Sequence, residues 1–114
     1  MEPPRLATSV LVGGLIRKAE AEGGFGAVLA KGDSTAGALL LILTERGANP
    51  AAYERMLQRD GRYAWAPSAS QLAENAAEVP ALVARRRRFD PDLWVVELDI
   101  PSIERFAAGM SAFD

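Results

Sequence analysis

Apolar residues recur along the chain with two different periods, which predict where its helices and strands lie. The first segment has helical spacing, begins at hydroxyl residues that can cap a helix, Thr8 or Ser9, and ends at Gly23-Gly24. Its inward-facing positions are Leu11, Leu15 and Ala19, with Val12 and Ile16 beside them. We therefore predict an N-terminal amphipathic helix.

Two apolar runs follow this helix and read as strands. They are Phe25 to Lys31 and Ala38 to Thr44, and the polar, glycine-bearing residues 32–37 connect them. We predict that the two strands form a hairpin. Residues 38–43 are apolar at every position, so the second strand should be central and covered on both faces.

Shorter strands are predicted in the middle of the chain. Turn-forming residues occupy Arg46 to Pro50, and Tyr53 to Gln58 then forms a third strand, with Arg55 on the same face as Tyr53. Asp60-Gly61 is typical of a tight turn, after which Arg62 to Ala66 returns as a fourth strand.

The next segment predicts a helix that proline interrupts. Ser68-Ala69-Ser70-Gln71 fits a capping box, and the helix it starts turns Leu72, Ala76 and Val79 inward. Pro80 should break this helix and begin a second one that runs through Arg88. The buried side of the second helix is predicted to be Leu82, Val83 and Phe89.

The last segment completes an α+β domain. Asp90-Pro91-Asp92 predicts a turn into a strand from Leu93 to Leu98, whose Trp94 should lie in the core or in an interface. Pro101-Ser102 begins a short final helix. We predict one domain over residues 1–114, in which a mainly antiparallel sheet of four or five strands packs against two or three helices.

Composition narrows the classes of function. The 114 residues carry a formal net charge of -2, so no global field attracts nucleic acid or an anionic membrane. The chain has no cysteine and no histidine, which excludes disulfides, thiolate or imidazole metal sites, and Ser-His or Cys-His catalysis. The N-terminal residues do not resemble a signal peptide, and the longest apolar run is far shorter than the ~20 residues that span a bilayer. We expect a cytoplasmic protein with no membrane partner and no cofactor.

Two glycine patterns look like nucleotide-binding motifs and are rejected. Gly32 and Gly37 have the spacing of a phosphate-binding loop, but Ala38 and Leu39 replace its lysine and hydroxyl residue. A dinucleotide-like pattern that begins at Gly24 lacks its third glycine. We predict instead that these glycines allow a tight turn in which Asp33 or Ser34 bonds its own backbone.

Arginines form the strongest local charge in the chain. Arg85, Arg86, Arg87 and Arg88 end the predicted helix, where cations offset the helix dipole and where Asp90 and Asp92 neutralise part of the charge. The functional alternative is an RNA or phosphate contact, helped by Arg59 and Arg62 and by stacking on an exposed Tyr63 or Trp65. The structural interpretation is favoured.

Carboxylates provide the remaining candidate chemistry. Asp33, Asp90 and Asp92 could bind magnesium as a phosphoesterase does, because magnesium accepts carboxylates without histidine. Sequence does not show that they converge, and we assign no catalytic residue and no metal ligand.

The segment from Arg87 to Glu97, with its Asp-Pro-Asp-Leu-Trp core, resembles the domain of unknown function 1491 family of uncharacterised bacterial proteins. The resemblance extends to residues 31–33 and 36–38, to the end of the N-terminal helix, and to Arg62 and Trp65. It implies a small α+β domain without an established activity.

Together these observations favour a non-enzymatic binding or assembly module, which we expect to form a homodimer or to bind an unidentified protein or anionic ligand. The alternatives are the RNA or phosphate binder and the magnesium-dependent phosphoesterase described above.

Overall fold

A computed structural model describes residues 7–67 and 76–110. These described residues fold as an α+β protein with a five-stranded, mostly antiparallel sheet and three α-helices, as predicted. In chain order the elements are α1 (Thr8–Ala21), β1 (Phe25–Ala30), β2 (Leu39–Glu45), β3 (Ala48–Leu57), β4 (Tyr63–Pro67), a 3-10 turn (Ala76–Glu78), α2 (Val79–Phe89), β5 (Trp94–Asp99) and α3 (Ile103–Ala108). None of these helices is both long and apolar enough to cross a membrane.

The sheet order, β1-β5-β2-β3-β4, corrects the predicted hairpin of β1 and β2. The last strand of the chain, β5, lies between them, antiparallel to β1 and parallel to β2. The prediction was wrong because the apolar strand β5 pairs with both β1 and β2 and so separates them. Residues 31–38 connect β1 to β2 by passing across the end of β5. The Trp94 amide, which donates to Ala38 O at 2.8 Å, marks this crossing.

The central strand β2 is covered on both faces, as its unbroken apolar sequence predicts. Leu39, Leu41 and Leu43 face α1 and α3, and Leu40 and Ile42 face α2. The core on the first side contains Trp94, Val96, Leu98 and Phe106; the core on the second contains Val95, Val79 and Leu93. Both cores exclude water, the main favourable contribution to folding.

β3 begins earlier than predicted. Its first residue is Ala48, and the turn before it contains only Arg46 and Gly47, which have φ values of 53° and 79°. Positive φ at both positions is what a two-residue type I′ hairpin turn requires, and its twist matches that of the strands. Pro50 was interpreted as turn chemistry, yet it lies inside β3.

Pro80 acts as predicted, since it occupies the first turn of α2, which begins at Val79. The capping box at residues 68–71 lies outside the described residues. Leu82 is buried and Val83 is partly buried, but Phe89 is 82% exposed, which contradicts its predicted burial. Helical spacing gives the direction of a side chain, and it does not show whether the sheet extends beneath the last turn.

The start of α1 is secured by a loop and not by the predicted side-chain cap. The amides of Thr8 and Ser9 donate to the carbonyl oxygens of Thr35 and Ser34, at 3.2 and 3.0 Å. The Thr8 hydroxyl donates to Gly37 O at 2.7 Å. The loop backbone therefore satisfies groups that a helix N-terminus otherwise leaves unpaired.

A pair of buried threonines provides a stability test. Thr8 and Thr44 are 5% and 1% exposed, but Thr44 Oγ1 has no hydrogen-bond partner within the described part of the chain. We expect Thr44→Val to stabilise the fold by about 1 kcal/mol, because it removes an unsatisfied hydroxyl from an apolar site. We expect Thr8→Val to cost about 1–2 kcal/mol, because Gly37 O loses its donor. Urea unfolding measures the stability of both variants. Changes of the same sign in the two variants would contradict the assignment of a bonded hydroxyl to Thr8 and an unbonded one to Thr44.

Candidate functional site

The predicted site residues begin with Asp33, which organises the loop between β1 and β2. Its Oδ2 accepts from the amides of Thr35 and Ala36 at 3.2 and 2.8 Å, which confirms the predicted turn. Its carbonyl oxygen accepts from the Gly37 amide at 3.2 Å and from the Trp94 indole at 2.7 Å. Asp33 thus fixes the loop to β5 with its backbone and shapes the loop with its carboxylate.

The two glycines of this loop let it lie against the Asp90-Pro91-Asp92 turn. A Cβ at Gly32 would lie 2.0 Å from Asp92 O, and one at Gly37 would lie 2.5 Å from the same atom. The Asp33 amide donates to Asp92 O at 3.1 Å. Glycine is required here for close backbone approach, not for a phosphate.

Asp90 and Asp92 form the predicted turn. Asp90 Oδ1 accepts from the Asp92 amide at 3.1 Å, and Asp90 O accepts from the Leu93 amide at 3.1 Å. One hydrogen bond joins the backbones of Asp33 and Asp92, but no three acidic side chains among residues 7–67 and 76–110 gather as a metal site would require. The described residues give the phosphoesterase hypothesis no ligand set.

The arginine cluster divides around α2. Arg86 forms an ion pair with Glu54 of β3, and Arg87 Nη1 donates to Lys31 O at 3.1 Å, whereas Arg85 and Arg88 are exposed. Successive helical residues point about 100° apart, so four consecutive arginines cannot face one ligand together. The RNA or phosphate contact stays a prediction, with Arg85 and Arg88 as its accessible cations.

Arg62 and Trp65 do not extend this cluster into one surface. Arg62 is exposed in the β3–β4 connection, and Trp65 packs partly against the core beneath α1 and α3. Trp65 pairs with Arg55 in the sheet, while Glu54, the partner of Arg86, lies on the opposite face. The sheet separates Trp65 from Arg86, so these two do not share a site.

A cavity that the sequence did not predict lies between the start of α1, residues 35–39 and the β3–β4 hairpin. It has a volume of about 220 Å³, and its walls include Leu11, Arg55 and Tyr63. The Arg55 guanidinium carbon stands 4.3 Å from the centroid of the Tyr63 ring. The sequence contained an indication of this position of Arg55. The alternation of β3 placed it on the same face as Tyr53, which packs against the core.

Comparison with known proteins agrees with this fold. The family described as "Protein of unknown function (DUF1491)" matches residues 6–108. The chain is similar to the crystal structure of a DUF1491 family protein from Caulobacter crescentus CB15, with 33% identity, a TM-score of 0.76, and coverage of 89% of this chain and 94% of that one. The chain is also similar to the NMR structure of a DUF1491 family protein from the same organism. The two are 32% identical, with a TM-score of 0.74 and coverage of 91% of this chain and 94% of that one.

A second organism provides a similar structure. The solution structure of protein Atu0922 from A. tumefaciens is 32% identical, with a TM-score of 0.73 and coverage of 90% of this chain and 92% of that one. No curated protein matches the chain significantly.

Proposed function

Because the chain belongs to the DUF1491 family, whose description assigns no activity, we propose from its surface that it is a non-enzymatic binding or assembly module. The module pairs with a second copy of itself along β1, and we retain the cytoplasm as its expected location. The observation that carries this proposal is the composition of β1. It lies at the edge of the sheet, has no charged residue, and exposes Phe25, Val28 and Leu29.

An edge strand of this kind is unusual because its unpaired backbone groups invite another strand to bind. Proteins commonly protect such edges with charged residues or proline. The opposite edge, β4, ends in Pro67 and exposes only that residue. β1 carries neither form of protection within the strand, so it is the edge that supports pairing.

A second copy of the chain suits this edge better than a charged partner. Two uncharged strands related by a two-fold axis place no like charges opposite each other. Acidic Glu20 and Glu22 precede β1 and basic Lys31 follows it. Antiparallel pairing therefore brings the acidic end of one strand toward the basic end of the other.

The expected dimer is weak. A register shift between Val28 and Ala30 interrupts the ladder with β5, and such a bulge limits regular pairing at an edge. A strand of six residues buries less than the roughly 1,200–2,000 Å² typical of stable interfaces. We expect dissociation constants in the micromolar to millimolar range.

Sedimentation velocity over a wide concentration range tests the proposal, with a matched pair of phenylalanines. Phe25→Lys places a positive charge on the strand that pairs. It should abolish association, because pairing would bury the lysine of each copy against the apolar strand of the other. Phe89→Lys makes the same change at the last residue of α2, outside the pairing strand, and should leave association unaltered.

Two results would reject this assembly. The first is a monomer throughout, up to about 1 mM, where even a weak dimer in the range stated above is populated. The second is loss of association in Phe89→Lys with retention in Phe25→Lys, which would place the interface at α2.

A further inference from the structure

We propose that one face of the last two turns of α2 is a contact surface for single-stranded RNA. Its residues are Arg85, Arg88 and Phe89, whose spacing of i, i+3 and i+4 places them on the same face of the helix. All three residues are exposed. Two cations beside an aromatic ring match a strand that carries phosphates and unpaired bases. The inference does not depend on pairing along β1.

Phe89 is the most exposed large apolar residue in the described part of the chain. It is 82% exposed, whereas Leu82, two turns earlier on the same side of α2, is buried. The last turn of the helix therefore extends past the core that the earlier turns cover. Single exposed apolar residues are common on protein surfaces, so the proposal rests on the ring together with the cations beside it.

Arg85 and Arg88 keep their guanidinium groups available to a ligand. Within residues 7–67 and 76–110, neither side chain forms an ion pair or a hydrogen bond. Arg86, between them in sequence, pairs with Glu54, and Arg87 donates to a backbone carbonyl oxygen. The fold thus uses the two middle arginines of the cluster and leaves the two outer ones for binding.

Neighbouring negative charge weakens the surface but does not cancel it. Arg85, Arg87 and Arg88 carry three positive charges, and the carboxylates of Asp90 and Asp92 in the following turn carry two negative ones. The helix C-terminus adds only about half a negative charge. Because the whole chain has a net charge of -2, we expect affinity at the weak end of the roughly 1–100 µM typical of non-specific nucleic-acid binding.

Single-stranded RNA fits this surface better than an acidic protein does. Each nucleotide offers a phosphate to a guanidinium and a flat base to Phe89, so successive parts of the strand can bind in the same way. An acidic peptide would satisfy the arginines but would need an apolar side chain at one fixed position to cover the ring. RNA is favoured over DNA because its loops and ends present unpaired bases.

Fluorescence anisotropy of a labelled oligouridylate, titrated with the full chain at several salt concentrations, tests the surface. We expect the logarithm of the association constant to fall with the logarithm of salt concentration with a slope of about -1.4, as for two phosphate contacts to a single strand. Phe89→Ala should weaken binding about fivefold or more, because base stacking is lost. Arg88→Gln should reduce the slope to about -0.7, because one phosphate contact is lost.

Val10→Ala and Arg105→Gln are the matched controls. They remove an exposed apolar side chain from α1 and an exposed cation from α3, and each should change the affinity less than twofold. All four substituted residues are exposed, so the variants should keep the fold, and urea unfolding checks that they do.

The nucleic acid is varied as well as the protein. Annealing the oligouridylate to oligoadenylate should weaken binding, because paired bases cannot stack on Phe89. The proposal would be overturned by absence of binding at low salt, by unchanged affinity in Phe89→Ala or Arg88→Gln, or by equal affinity for the duplex. Polyglutamate that displaces the RNA at an equal concentration of charge would assign the surface to acidic proteins instead. Tighter binding of the deoxyuridylate strand would reject RNA as the partner.

Discussion

Gly32→Ala is expected to destabilise the protein by about 3 kcal/mol or more, a large part of the total stability of a small domain. The added Cβ would lie 2.0 Å from Asp92 O and 2.7 Å from the Asp92 carbonyl carbon, so no side-chain rotation can relieve the overlap. The backbone must move instead, and this movement breaks the bond between the Asp33 amide and Asp92 O. Urea unfolding monitored by fluorescence measures the loss.

Gly13→Ala is the matched control, because it makes the same chemical change inside α1. The added methyl would meet only the end of the flexible Arg17 side chain, at 3.3 Å. Alanine is favoured over glycine in a helix by about 0.5–1 kcal/mol, so this variant should be slightly more stable than the wild type. A Gly32→Ala protein within about 1 kcal/mol of the wild type would show that the loop does not need glycine.

Local patterns predicted most elements of the fold because each depends on neighbouring residues. The period of α1, the two-sided burial of β2 and the Asp90-Pro91-Asp92 turn all follow from side-chain spacing or turn chemistry. Pairing is not local. The insertion of β5 between β1 and β2 brings together residues 55 to 74 positions apart, and no pattern within either segment records that partner.

The candidate site shows a similar division. Sequence predicted that Asp33 shapes its own loop, because an aspartate bonds the amides that follow it. It did not show that Arg86 would pair with Glu54 or that Trp65 would lie across the sheet from Glu54, since both facts depend on strand order and register. The cavity beside Arg55 likewise needs α1, the loop and the β3–β4 hairpin to meet.

Trp94→Ala should cost about 3–5 kcal/mol, because Trp94 is 4% exposed and its removal leaves a large void beneath α1. Trp94→Phe separates packing from hydrogen bonding. It retains an aromatic ring but removes the indole donor to Asp33 O, and we expect a cost of about 2 kcal/mol.

Trp65→Phe provides the comparison, since the chain has only two tryptophans. Trp65 is half-buried, and its indole N–H is buried with no acceptor among the residues that the structure describes. Replacing it removes an unsatisfied donor, which offsets part of the lost packing, so we expect a cost below about 1 kcal/mol. Fluorescence then reports Trp94 alone in Trp65→Phe, and Trp65 alone in Trp94→Phe. If the two variants lost equal stability in urea unfolding, the bond from Trp94 to Asp33 would not be what anchors the loop to β5.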